Sequence, residues 1–129
     1  MPKQQAMVQI LKTKKVKEPM KEKYNDILED IEELGVINVN QDEKIDISFS
    51  HHPNVVGPRS KYTGLPIWVG LTVATAVLRD DAGVQDKCQT KAFCWINEPF
   101  DYSRARIVTA GRALKIFGYP TKLADQVKD

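Results

Sequence analysis

Two short runs in which apolar and polar residues alternate place the strongest constraint on how this chain folds. Ile37 and Val39 alternate with polar residues in the first run, Ile45, Ile47 and Phe49 do so in the second, and the polar stretch NQDEK lies between them. A period of two puts every second side chain on the same face of a strand. A polar segment of this kind suits the turn between two such strands. The pattern therefore predicts a β-hairpin over residues 36–40 and 44–50.

A stripe of apolar residues at helical spacing precedes this hairpin. Its members are Met20, Tyr24, Ile27, Leu28, Ile31 and Leu34. Pro19 suits the first turn of a helix, and Gly35 suits the position after the last turn. The spacing predicts an amphipathic helix that ends at Leu34. The acids on its opposite face are spread around the helix, and we expect no metal site there.

Residues 65–79 fit two different structures. As a helix they place Ile67, Leu71, Ala74 and Leu78 on one face, and as a strand they place Val69, Leu71, Val73 and Val77 on one side. The β-branched residues and Gly70 favour the strand. The turn sequence DDAG follows. We therefore expect a second hairpin that pairs about 67–79 with 84–96.

A second helix is predicted in FDYSRARIVTAGRALKIFGYP. Asp101 or Ser103 is a suitable N-cap, while Gly118 and Pro120 end the helix. Its apolar stripe consists of Ile107, Ala110, Leu114 and Phe117. The neighbouring face carries three basic residues, Arg104, Arg112 and Lys115.

These elements predict an α+β protein with one small domain. Two β-hairpins form an antiparallel sheet, and one amphipathic helix flanks it at each end. The chain has 129 residues, 42% of them hydrophobic, which is enough for a real core without metal or disulfide support. Residues 1–17 are expected to be a basic N-terminal arm and residues 18–129 the domain.

The small net charge of +2 hides an uneven distribution of charge along the chain. Residues 1–23 contain seven lysines and two glutamates, whereas residues 24–48 contain eight acids and one lysine. Residues 49–129 are mildly basic again. Such asymmetry favours contact with a polyanion or between copies of the chain. Four lysines of the arm, Lys12, Lys14, Lys15 and Lys17, are the first candidates for contact with phosphate.

The segment SHHPNVVGPRSKYTGLP is predicted to be a stiff loop between the two hairpins. Its prolines restrict the backbone, and its glycines allow sharp changes of direction. Arg59, Lys61 and Tyr62 have the chemistry needed to contact phosphates and stack on a base. A plain connection with exposed polar residues is the alternative.

The sequence lacks the motifs of the common catalytic and metal sites. It has no phosphate-binding glycine loop, no GxSxG, no HExxH and no paired CxxC. His51 and His52 with Cys88 and Cys94 are four potential zinc ligands, but the two cysteines would lie nearly 20 Å apart on one strand. We therefore expect no catalytic residue, no metal and no cofactor.

Two cysteines, no signal peptide and no long apolar segment favour an intracellular, cytoplasmic or virion location rather than secretion. No transmembrane segment is expected.

The function expected from these features is non-enzymatic. The chain would be a structural or assembly protein of the coat, nucleocapsid or matrix kind, with a virus as one expected source. It would bind nucleic acid through backbone phosphates, using its arm and the basic helix face, and would form homo-oligomers. An anionic membrane surface is a further possible partner of the arm. The alternatives are an interaction module, such as an inhibitor or adaptor, and a small enzyme that uses His51 or His52.

Overall fold

The computed structural model describes residues 31–128, which form a four-stranded antiparallel sheet with one α-helix and one 3-10 helix. The elements are β1 (Ile31–Asn38), β2 (Lys44–Val56), β3 (Trp68–Asp80), β4 (Gly83–Trp95), α1 (Tyr102–Phe117) and the 3-10 helix (Thr121–Val127). The predicted arm, with its four candidate lysines Lys12, Lys14, Lys15 and Lys17, and most of the predicted first helix lie outside the described residues. No helix in the described part is long and apolar enough to cross a membrane.

The sheet has the strand order β1-β2-β3-β4, with every neighbouring pair antiparallel. Both predicted hairpins are therefore confirmed, and β2 also pairs with β3 to join them into one sheet. Residues 65–79 contain a strand, so the helical alternative was wrong. The α+β assignment is confirmed for the described residues.

One face of the sheet packs against α1 and the 3-10 helix. The buried apolar residues are Ile37, Ile45, Ile47, Phe49, Ala74, Ala76, Leu78, Ala110, Ala113, Leu114, Ala124 and Val127. Large side chains from β2 meet small ones from β3 and α1, which lets the two layers pack closely. Nothing in the described chain covers the opposite face, which we call the uncovered face. It carries Leu71, Val73 and Val77, the apolar side predicted for β3.

The predicted first helix does not extend to Leu34, because residues 31–34 belong to β1. The side chain of Glu33 points to the covered face and bonds to two buried groups, whereas a helix would have placed it in solvent. Gly35 is a strand residue rather than a helix end. A Cβ at this position would lie 3.3 Å from Val127 Cγ1, so the small residue lets the 3-10 helix pack closely.

The predicted loop that begins at residue 50 is also wrong in its first part. β2 runs to Val56, so His51 and His52 are strand residues and the loop is confined to residues 57–67. His51 faces the core with no exposed surface. A strand accommodates it because the ring finds partners for both nitrogens, which satisfies its polar atoms in the interior.

A β-bulge at the start of β3 sets the face on which Trp68 lies. Trp68 pairs with Trp95 and Leu71 pairs with Phe93, so β3 contains one extra residue in this interval. Gly70 lies in the bulge with φ +109°, and a Cβ there would come within 2.4 Å of the Phe100 ring. The extra residue brings Trp68 to the same face as Phe93, the uncovered one.

The boundaries predicted for the C-terminal helix are confirmed. The Asp101 carboxylate accepts a hydrogen bond from the Arg104 backbone N–H, and Gly118 ends the helix with φ +89°. Ala110 and Leu114 of the predicted stripe are fully buried.

Replacing Gly70 with alanine should destabilise the protein more than the same change at Gly83. Both glycines have positive φ, which strains any other residue, but only Gly70 has a ring where the new Cβ would lie. We expect Gly70→Ala to lower the free energy of unfolding by ~1–3 kcal/mol more than Gly83→Ala. Urea denaturation of both variants measures the difference. Equal losses would show that Phe100 does not restrict this position.

Candidate nucleic-acid interface

His51 is the centre of a buried polar network. Its Nε2 lies 2.7 Å from Glu33 Oε1, and its Nδ1 lies 2.8 Å from Thr72 Oγ1. Arg106 Nη1 donates to the same Glu33 oxygen at 2.7 Å, and Arg106 Nε donates to the Val127 carbonyl. The network therefore ties together the first three strands, α1 and the C-terminal turn.

The pKa values in this network favour a neutral ring beside an ionised carboxylate. Burial lowers the pKa of His51, and the hydrogen bond and charge of Glu33 offset this only in part. Burial alone would raise the pKa of Glu33, but the hydrogen bonds from Arg106 and His51 outweigh it and lower the pKa. A carboxylate can only accept, so Nε2–H donates to Glu33 and Nδ1 accepts from the Thr72 hydroxyl.

The network predicts that stability falls in acid. Because the pKa of His51 is lower in the folded chain, its contribution is present above the ordinary value of 6.5 and is lost as the pH falls towards the folded value. The lowered pKa of Glu33 adds a further loss of stability as the pH falls below 4.5. The His51 contribution has a slope of at most about 1.4 kcal/mol per pH unit. Urea denaturation between pH 7.5 and pH 5 measures it.

Two histidine variants separate this effect from a general response to acid. His51→Gln should be less stable than the wild type at pH 7.5 and should lose the slope just below pH 6.5. His52→Gln leaves the buried ring in place and should keep the slope. A wild-type slope in His51→Gln would contradict the assignment.

His51 has no exposed surface, so its ring cannot reach a substrate in solvent. His52 lies beside it on β2, with its Nε2 2.7 Å from the Ser50 hydroxyl oxygen. Cys88 and Cys94 are free thiols, and burial raises the pKa of both. Within residues 31–128, no group of three or more histidines, cysteines and acids is arranged to hold a metal ion.

An aromatic cluster occupies one end of the uncovered face. Its members are Trp68, Phe93 and Trp95, and the rings of Trp68 and Phe93 lie 4.5 Å apart. Phe93 and Trp95 remain 50% and 59% exposed. The Trp68 indole lies directly over Gly57, where any Cβ would come within 2.4 Å of it. The cluster is thus a fixed apolar surface that solvent can reach.

Cations adjoin this cluster along β4. Alternation along the strand places Lys87 and Lys91 on the same face as Phe93, since Thr90 points the other way and donates to the Thr109 carbonyl of α1. Neither lysine has a carboxylate partner among the described residues. The acids of this face lie nearer β1, where Glu32 is exposed and Asp46 is paired with Arg79 at 2.6 Å.

The loop between β2 and β3 projects from the same end of the sheet. Residues Arg59 and Pro66 pair across it, and the Arg59 guanidinium donates to the Gly64 carbonyl at 2.6 Å. Tyr62 is 89% exposed, and the Lys61 ammonium lies 5.9 Å from its ring. Two of the predicted binding residues, Lys61 and Tyr62, are therefore exposed in the loop that leads into Trp68.

The basic residues of α1 lie on the other side of the sheet. The Arg112 guanidinium donates to the Lys91 carbonyl, which holds it against the edge of β4. Arg104 and Arg112 line a cleft of about 210 Å³ between β4 and α1, together with Asp101 and Glu98, which offset their charge. Lys115 is exposed in the last turn of the helix. The structure therefore does not bring this group and the loop residues into one surface.

Sequence reasoning missed five residues of the interface, namely Trp68, Lys87, Lys91, Phe93 and Trp95. The signal for β4 was present, because KAFCW alternates and places Lys91, Phe93 and Trp95 on one side. The side interpreted for this strand was the opposite one, which carries Cys88, Ala92 and Cys94. No comparable signal exists for Trp68, whose face depends on the bulge at Gly70.

No protein-family model matches the chain, and searches of curated proteins and of solved structures found no significant match.

Proposed function

We propose that this chain is a non-enzymatic protein that binds single-stranded nucleic acid on the uncovered face of its sheet. The observation that carries the proposal is the aromatic cluster of half-buried Trp68 with exposed Phe93 and Trp95, beside lysines that have no carboxylate partner among residues 31–128. The coat, nucleocapsid or matrix role expected from the sequence remains a prediction.

Stacking supports the choice of a single strand. Unpaired bases expose flat faces, and aromatic side chains on an open sheet are a common platform for them. A duplex hides those faces and offers mainly phosphates. The two indoles and the Phe93 ring have no evident role in the core, since α1 covers the other face.

The charge around the cluster supports contact with a phosphate backbone. Lys87 and Lys91 run along β4 towards the rings, and Lys61 lies in the adjoining loop. Lysine binds phosphate without reading sequence. We therefore expect broad specificity and an affinity that falls with salt.

Removing one ring from the cluster should weaken binding. Phe93→Leu keeps an apolar side chain in the strand but loses the aromatic face, so the expected cost is ~1–3 kcal/mol, or about 5- to 150-fold in Kd. Fluorescence anisotropy with a labelled oligonucleotide of mixed sequence measures it. Ile116→Ala, on an exposed position of α1, is the control and should leave Kd unchanged.

A matched pair of lysine variants tests which face binds. Lys91→Gln should raise Kd and reduce the slope of log K against log salt by about 0.7, the value for one phosphate contact on a single strand. Lys115→Gln makes the same change in charge on α1 and should alter neither. Failure to bind at low salt, or a larger effect of Lys115→Gln, would contradict the proposal and favour an interaction module or the helix face.

The lysine-rich arm should add to the salt dependence without determining the face. Replacing Lys12, Lys14, Lys15 and Lys17 with glutamine in the full chain should reduce the same slope by about 2 to 3 if all four contact phosphates. The loss caused by Phe93→Leu should persist in this background. An unchanged slope would show that the arm does not contact the nucleic acid.

A further inference from the structure

We infer that β1 is a dimerisation edge, at which two copies of the chain pair antiparallel around Leu34 to form one eight-stranded sheet. Within residues 31–128, β1 and β4 are the two edges of the sheet. The inference depends on the backbone geometry of β1 and is independent of the proposed function.

The hydrogen bonds at the end of β1 show which backbone groups point outward. The Asn38 N–H donates to Gln126 Oε1, and the Asn38 carbonyl accepts from Gln126 Nε2. The next residue, Val39, points the other way and donates to Glu43 of the β1–β2 turn. Because strand backbone groups alternate, Glu32, Leu34 and Val36 also point outward. No described residue bonds to their backbone groups.

The side chains of this edge are equally unprotected. Leu34 is 86% exposed and Val36 is 46% exposed, both on the uncovered face. Natural edges are usually blocked by lysine, proline or a bulge. β1 contains none of these, and its inward-pointing charge, Glu33, is bound by His51 and Arg106. An open edge with exposed aliphatic side chains is suited to pairing with another strand.

β4, at the opposite edge, has features of the kind that prevent pairing with another strand. β4 carries lysines, has an irregular register near Val84, and has a carbonyl occupied by the Arg112 guanidinium. Gln126 blocks β1 only at Asn38. The free stretch is therefore the three residues Glu32, Leu34 and Val36.

A second copy of β1 fits this stretch in one register. With Leu34 opposite Leu34, each Glu32 lies opposite Val36, so all three outward residues form hydrogen-bonded pairs. A shift of two residues one way places Glu33 opposite Glu33, which repels. A shift the other way requires Asn38, which Gln126 already occupies. Self-complementarity, without opposed like charges, thus favours a second copy as the partner.

The two-fold axis of such a pair is perpendicular to the sheet, so both uncovered faces lie on the same side. Three residues from each copy form a small contact compared with a standard interface of about 1,600 Å². We therefore expect a dimer that dissociates on dilution rather than a permanent one.

Sedimentation of the full chain over about 1–200 μM tests the inference. The wild type should shift from 14.6 kDa to twice that mass. Leu34→Lys places two ammonium groups at the axis and should raise the dimer dissociation constant at least tenfold. Leu65→Lys makes the same change at an exposed leucine of the loop and should have no effect. A monomer at every concentration, or a dimer unaffected by Leu34→Lys, would overturn the inference.

Two further variants test the geometry itself. Leu34→Pro removes an N–H that points outward, so the fold should survive, as circular dichroism can verify, while dimerisation is lost. Leu34→Cys places two thiols at a Cα separation of about 5.5 Å, which suits a disulfide. Oxidation should cross-link this variant well above the wild type, which retains Cys88 and Cys94, whereas Leu65→Cys should not exceed the wild type. Dimerisation without the cross-link would mean that another segment, rather than this register of β1, pairs the copies.

Discussion

The carboxylate of Glu33 holds together parts of the chain that are far apart in sequence. A single oxygen accepts from His51 of β2 and from Arg106 of α1, and Arg106 in turn bonds to the backbone at Val127. Removing Glu33 would leave a guanidinium with 8% exposure and a buried imidazole without their shared acceptor. Buried polar groups that lose a partner are far more costly than exposed ones. The Glu33 carboxylate therefore links the covered side of β1 to α1, in addition to the pairing of β1 with β2.

Among residues 31–128, helices cover one face of the sheet, and the proposed binding uses the other face. The small residues of β3 and α1 let the helix pack closely on the covered face. No element among the described residues packs on the opposite face. The uncovered face is divided along its length. Its β4 side carries aromatic rings and lysines, while its β1 side carries Glu32, Leu34 and Val36. The two proposals concern these two sides, so each can fail without affecting the other.

Local patterns in the sequence predicted most of the elements correctly. The alternation of apolar and polar residues that begins at Ile37 and again at Ile45 predicted the first hairpin. The caps Asp101 and Gly118 predicted the limits of α1. The pattern failed at residues 31–34, where Ile31 and Leu34 fit a helical stripe but pairing with β2 determined the structure. Glu33 looked like a solvated acid because its partner Arg106 lies 73 residues away. Contacts at that separation leave no local trace.

The candidate interface was predicted in part, from the side chains of its loop. Lys61 and Tyr62 are exposed in that loop, as the sequence suggested. The basic residues of α1 were grouped with them by charge alone, and charge does not indicate on which side of a sheet a helix packs. The paired histidines suggested a catalytic or metal site because of their chemistry. The ring of His51 is instead buried in the core, where it bonds to Glu33 and Thr72.

The extra residue in the bulge at Gly70 changes the face of the sheet on which the preceding side chain of β3, Trp68, lies. Without it, Trp68 would have the parity of Thr72 and Ala74 and would point at α1. A deletion at Val69 or Gly70 would thus drive an indole into a packed interior, while a deletion at the tip of the β2–β3 loop would alter only a surface turn. The number of residues is therefore constrained at this bulge, in addition to the residue type at Gly70. Relatives of this protein should vary freely in loop length between Pro58 and Pro66 but keep the count of residues from Trp68 to Thr72.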